Sequence, residues 1–118
     1  MTEETTVAVM NRFGDAFLEH DPTLLEGLLA DDCVLENSGP APDGSRHVGR
    51  EACLAFWSEI ARNEQLNFET EDMWVAGERA VRRWRLRFGP GEDDSVRGVN
   101  IMRLRDGRIV EAQGYVKS

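Results

Sequence analysis

The chain has 118 residues, of which 41% are hydrophobic and 31% charged, with a formal net charge of −8. That length gives one domain with a core of its own and no room for a second, and the negative balance argues against a nucleic-acid or anionic-membrane binder. The charge is uneven: acids outnumber bases 16 to 4 over residues 1–72, and bases outnumber acids 10 to 6 over residues 73–118. No apolar run approaches the ~20 residues that span a bilayer. The start, Met1-Thr2-Glu3-Glu4, lacks the basic residues and apolar stretch of a signal peptide. The expected compartment is therefore the cytoplasm, where Cys33 and Cys53 are expected as buried free thiols.

Met10, Phe13 and Phe17 fall on one face of a helix expected over residues 2–20. Asp21-Pro22 restarts a helix, with Asp as cap and Pro in its first turn. Leu24, Leu25, Leu28 and Leu29 supply the apolar stripe of this short second helix. Residues 33–37 form a short strand, and the Pro/Gly-rich stretch 38–45 a loop. A third helix covers residues 50–62 with Cys53, Leu54, Phe56, Trp57 and Ile60 as its stripe.

The period then changes to two. Strands are expected over residues 66–75, 80–88, 96–105 and 109–116, with Asp106-Gly107 as a two-residue hairpin turn. In the second of these strands Trp84, Leu86 and Phe88 share one face and Arg83, Arg85 and Arg87 the other. Residues 1–118 thus read as a single α+β domain, three N-terminal helices packed on an antiparallel meander.

Several segments, in this order, resemble the SnoaL-like group of the cone-shaped, nuclear-transport-factor-2-like superfamily. They are Phe17-Leu18-Glu19-His20-Asp21-Pro22, Leu28-Leu29-Ala30-Asp31-Asp32-Cys33-Val34, Val48-Gly49-Arg50-Glu51-Ala52 and the closing Gly98-Val99-Asn100…Asp106-Gly107…Glu111. The resemblance implies a curved sheet wrapped around the first helix, a deep apolar pocket and a homodimer. The superfamily holds isomerases, cyclases, epoxide hydrolases, dehydratases and non-catalytic binders, so the fold does not set the function.

Resemblance to ketosteroid isomerase, whose carboxylate base and Tyr/Asp oxyanion hole are a well-understood case, places the base on Asn37, the Asp donor on Asn100 and the Tyr on Phe13. None of these side chains titrates. Asn37 and Asn100 are left as groups that grip a ligand carbonyl or hydroxyl, or as plain structural asparagines. The Asp–Arg–Asp set of the superfamily's epoxide hydrolases is missing as well, because its last-strand Asp falls on Gly114. His47, ahead of the third helix, is the remaining acid–base candidate; His20 is expected to serve a helix end.

Phe13, Phe17, Phe56, Trp57, Trp74, Trp84 and Phe88 are expected to face the space between helices and sheet, and with Asn37, Asn100 and Met102 they make the expected ligand-binding set. Small inward residues on the last strand (Ala112, Gly114) leave volume there. Neither a zinc pattern nor a phosphate loop is present, so no metal or cofactor is expected. Cross-strand pairing with Glu69, Glu71 and Glu111 accounts for the arginines better than RNA does. The function expected is binding of a small, largely apolar, carbonyl- or polyketide-like molecule, with an isomerase, cyclase or lyase as the enzymatic form. A non-catalytic ligand-binding or dimerisation module is the alternative. The dimer is expected to form through a sheet face carrying Arg83, Arg85, Arg103 and Tyr115.

Overall fold

The computed structural model describes residues 2–117. Helix α1 runs Glu3–Leu18; the Thr2 side chain caps it by accepting from the Thr5 amide, and Glu3 and Glu4 sit favourably in the first turn. Its buried face is Val9, Met10, Phe13, Ala16 and Phe17, the spacing of an amphipathic helix. After a single 3-10 turn, Pro22–Leu25, strand β1 (Leu29–Asn37) pairs antiparallel with the short β2 (Ser45–Val48). Helix α2, Arg50–Arg62, then crosses to the opposite sheet edge, where β3 (Asn67–Ala76) begins. Strands β4 (Arg79–Arg87), β5 (Ser95–Arg105) and β6 (Arg108–Val116) follow by successive antiparallel pairing.

The expected architecture needs four corrections. The described residues hold two α-helices, not three. Gly27 takes φ +81°, a left-handed value that breaks a helix, so Leu28 and Leu29 leave the proposed stripe and Leu29 opens β1. The sheet is mixed rather than antiparallel: in the order β2-β1-β6-β5-β4-β3, β6 returns beside β1 and runs parallel to it. The sheet is also open and not strongly curled, so no deep closed pocket forms. The stretch assigned wholly to loop ends in β2, whose Ser45–Val48 segment pairs with residues 34–37.

Phe13 is fully buried at the centre of the core, with its ring 4.9 Å from Trp57 and 5.0 Å from Phe17. Around it lie Leu25, Leu29, Met102, Leu104 and Ile109, each at most 1% exposed. Such side chains stabilise the fold by roughly 1.5–3 kcal/mol each on burial. His20 ties the layers together: its ring meets the Ala61 carbonyl at 2.9 Å and Asn67 Oδ1 at 3.2 Å. It therefore links the end of α1 to α2 and β3.

The arginines lie largely as expected. On the outer face Arg97 donates to Glu71 at 2.8 Å, Arg103 to Glu111 at 2.6 Å and Arg105 to Asp32 at 2.7 Å, and Arg87 pairs with Glu69. Solvated pairs of this kind contribute ~0–1 kcal/mol each. Three of them join a base of the second half to an acid of the first.

Cys33 and Cys53 are free and buried, as expected. Burial pushes the Cys33 thiol up to about 12 and raises that of Cys53. Since the thiolate is the reactive species, neither should react with an aromatic disulfide reagent at pH 8 in the folded protein. Both should react at once in denaturant. Rapid labelling of the native protein would contradict this burial.

Candidate functional site

Pleating sends alternate residues of a strand to one face. On β4 the inward set is Ala80, Arg82, Trp84 and Leu86; on β5 it is Gly98, Asn100, Met102 and Leu104. Register then aligns four inward residues across four neighbouring strands. Asn37 of β1 pairs with Gly114 of β6, Gly114 with Asn100 of β5, and Asn100 with Arg82 of β4. A polar row thereby crosses an otherwise apolar floor. Gly114 keeps a gap in its middle: a Cβ there would lie 2.8 Å from Asn37 Oδ1 and 3.2 Å from Asn100 Oδ1.

Over this row sits a half-open cavity of about 190 Å³. Helices supply Phe17, Phe56, Trp57 and Ile60; Leu66 and Phe68 come from the start of β3 and the turn before it. The sheet supplies Asn37, Arg82, Trp84, Leu86, Asn100 and Val116. The aromatic walls interlock, Phe68 standing edge-on to both Phe17 (5.5 Å) and Trp84 (5.3 Å). An apolar cavity of ~150 Å³ accepts benzene, so this one has room for about a single ring with a small substituent.

Two buried donors in this wall lack partners. Arg82 is 3% exposed. Its Nε donates to Thr70 Oγ1 at 2.9 Å, but Nη2 has no partner. Burial lowers the affinity of the guanidinium for its proton, against the field of Asp15. No carboxylate among the described residues forms an ion pair with it. Trp84, 7% exposed, likewise leaves Nε1 unpaired. An unmet buried donor costs ~1–3 kcal/mol, more when charged. Gly14 of α1 makes room for the guanidinium, since a Cβ there would come within 2.9 Å of Arg82 Cζ.

Six of the residues expected in the site therefore meet at the cavity: Phe17, Asn37, Phe56, Trp57, Trp84 and Asn100. Phe13 and Met102 pack into the core instead. Trp74 is 51% exposed, because β3 carries a register shift between Thr70 and Asp72. Such an extra residue reverses which face later side chains take, so Met73 and Val75 pack inward and Trp74 points out. Phe88 lies past the end of β4 and is 46% exposed. His47 is outside the lining, but its ring packs on Phe56 at 4.4 Å and its Nε2 is 3.3 Å from Ser45 Oγ. Arg82 was missed, although the alternation that turns Trp84 inward turns Arg82 inward too; its charge argued for the surface. Among the described residues no cluster of side chains fits a metal ion, and no helix is long and apolar enough to cross a membrane.

Residues 10–112 match the model of the SnoaL-like domain. The chain belongs to that family. A nuclear-transport-factor-2-like protein of unknown function from Mesorhizobium loti is 53% identical, over 98% of this chain and 93% of its own, with a TM-score of 0.91. A protein provisionally named a polyketide cyclase, from Sinorhizobium meliloti, is 25% identical over 91% of this chain and 93% of its own, with a TM-score of 0.73. One provisionally named a ketosteroid isomerase, from Kribbella flavida, covers 100% of this chain and 82% of its own with a TM-score of 0.83; at 22% identity that likeness is one of fold. No curated protein matches the chain. The SnoaL-like chain is thus a pocket protein of the nuclear-transport-factor-2-like superfamily whose pocket is half-open.

Gly98 tests the packing of this wall. A Cβ there would run into the Trp84 ring and come within 2.6 Å of the Tyr115 carbonyl oxygen. Gly98→Ala should destabilise the protein by ~1–3 kcal/mol, read as a lower urea midpoint with an altered Trp emission maximum. An unchanged midpoint would show that Trp84 has room to move.

Proposed function

We propose that this cavity binds a small, single-ring, largely apolar molecule through one oxygen-bearing substituent. The observation that carries the reading is the pairing of aromatic and aliphatic walls with a floor that holds the side-chain amides of Asn37 and Asn100. A ligand oxygen accepts from the asparagine amides, and the aromatic walls exclude water. The names of the relatives from S. meliloti and K. flavida are in keeping with a carbonyl-bearing ligand.

No Asp, Glu, His, Cys or Tyr lines the cavity. Its own polar chemistry is that of two neutral carboxamides, which favours a binder. An isomerase, cyclase or lyase would need a proton acceptor, and His47, packed on Phe56, is the nearest route to one. If turnover of a ring ketone is found, His47→Ala should abolish it with the fold intact; unchanged turnover removes His47.

Trp57 and Trp84 report occupancy by their emission. Titration with neutral ring ketones and carboxamides should give a saturable change in the wild type. Leu86→Trp, which fills the cavity from its partly exposed wall, should weaken binding by about tenfold or more. No saturable change with any such probe, or identical binding in Leu86→Trp, would defeat the reading.

A homodimer through the outer sheet face is the accompanying proposal. Tyr115, 52% exposed, pairs across the strands with Val99, and Ile101 lies on the same face. These give an apolar centre flanked by the Arg–Glu pairs. Sedimentation should find a dimer at micromolar concentration that Tyr115→Glu dissociates; a wild-type monomer would remove the proposal.

A further inference from the structure

Asn37 and Asn100 face each other across Gly114. Both pair with that glycine in register, Asn37 from β1 on one side and Asn100 from β5 on the other. Neighbouring strands lie ~4.8 Å apart, so the two asparagine backbones stand roughly twice that far from one another. Their side chains lean into this gap. One point on the inner face, where a Cβ of residue 114 would stand, is 2.8 Å from Asn37 Oδ1 and 3.2 Å from Asn100 Oδ1. Two amide oxygens thus converge over the one residue of the row that has no side chain to hold them apart. Neighbouring polar groups are turned elsewhere: Ser45, the cross-strand partner of Asn37, meets His47 Nε2 at 3.3 Å, and Arg82 Nε donates to Thr70. Both asparagines line the cavity.

We infer that the oxygen-bearing substituent of the ligand is a hydroxyl that donates its proton to the amide oxygens above Gly114, which makes the ligand a neutral ring alcohol or phenol. The inference rests on the pocket reading above and narrows its substrate class. Two acceptors that converge in an apolar cavity are matched by a donor, because an acceptor buried against another acceptor loses the hydrogen bond it made to water. A ketone or ether brings a third acceptor to the same place. A hydroxyl brings a proton and still accepts through its own oxygen. A protonated amine would donate as well, but Arg82, the cross-strand neighbour of Asn100, carries a positive charge in the same lining. Like charges repel strongly where the surroundings are apolar. The cavity, at about 190 Å³, has room for about one ring beside the hydroxyl.

The test compares two probes of nearly the same shape, cyclohexanol and cyclohexanone, by calorimetry at pH 7 and by the rise each gives in Tm. The alcohol should bind about tenfold or more tightly. Replacing both asparagines, Asn37→Leu with Asn100→Leu, should cut that preference to about twofold or less while the apolar walls still bind the ring. Gly114→Ala keeps both amides but sets a methyl group between their oxygens, and should reduce the preference as well.

Equal affinities in the wild type would overturn the inference and leave the pocket reading standing. A tighter ketone would do the same, since it would mean that the amides present N–H groups to the ligand. An alcohol preference that survives the double replacement, or is unchanged in Gly114→Ala, would place the hydroxyl elsewhere and overturn it too. Binding of neither probe would defeat the pocket reading and this inference together. The wild-type comparison decides the matter even if a variant fails to fold.

Discussion

The parallel pairing of β6 with β1 is the constraint on which the site depends. It brings the end of the meander back beside the first strand, so that Asn37, Gly114, Asn100 and Arg82 fall in one inward row. No two of these residues are neighbours in sequence. Slipping either strand by one residue would turn its members of the row toward solvent. Helix α1 lies across the other end of the sheet, on β3 and β4, with Phe13 at the centre of the core and Phe17 at the cavity wall. Core and site are therefore two ends of one packed layer: Phe13 makes stability and Phe17, one turn on, borders open space.

The polar chemistry of the cavity is asymmetric. Its floor carries the neutral amides of Asn37 and Asn100 and no group that accepts a proton at neutral pH. Arg82 adds a buried positive charge between this floor and α1, where burial penalises it. The surrounding sequence works to keep that charge in place. Thr70 holds Nε, Gly14 gives the guanidinium room against α1, and the outer arginines are drawn off into pairs with Glu69, Glu71 and Glu111. A net negative protein thus presents one buried positive group in its interior.

Much of the fold was legible where local pattern and tertiary context agree. The spacing of Met10, Phe13 and Phe17, the Asp21-Pro22 restart and the Asp106-Gly107 turn each map onto the structure. The failures share a cause, which is a single residue that shifts phase. Gly27 turned an expected helix into the entry of β1. The irregularity after Thr70 exchanged the faces of β3, sending Trp74 out where unbroken alternation would put it in. Strand irregularities carry no side-chain signature, so counting by twos runs past them. Arg82 was legible by parity and hidden by expectation, since a charged side chain is rarely fully buried without a partner.

The sequence by itself determined the α+β class of the domain, most of its element order and six of the residues that line the cavity. Those follow from hydrophobic period, caps and turns, all of which act over a few residues. Only the tertiary structure decided that the sheet is mixed and open, that the pocket is half-open, and that a lone guanidinium lies in its wall. These depend on which strand returns beside which, and on whether distant carboxylates come within reach. Pairing energy and counter-charge are properties of residues far apart in the chain, and local pattern cannot encode the distances between them.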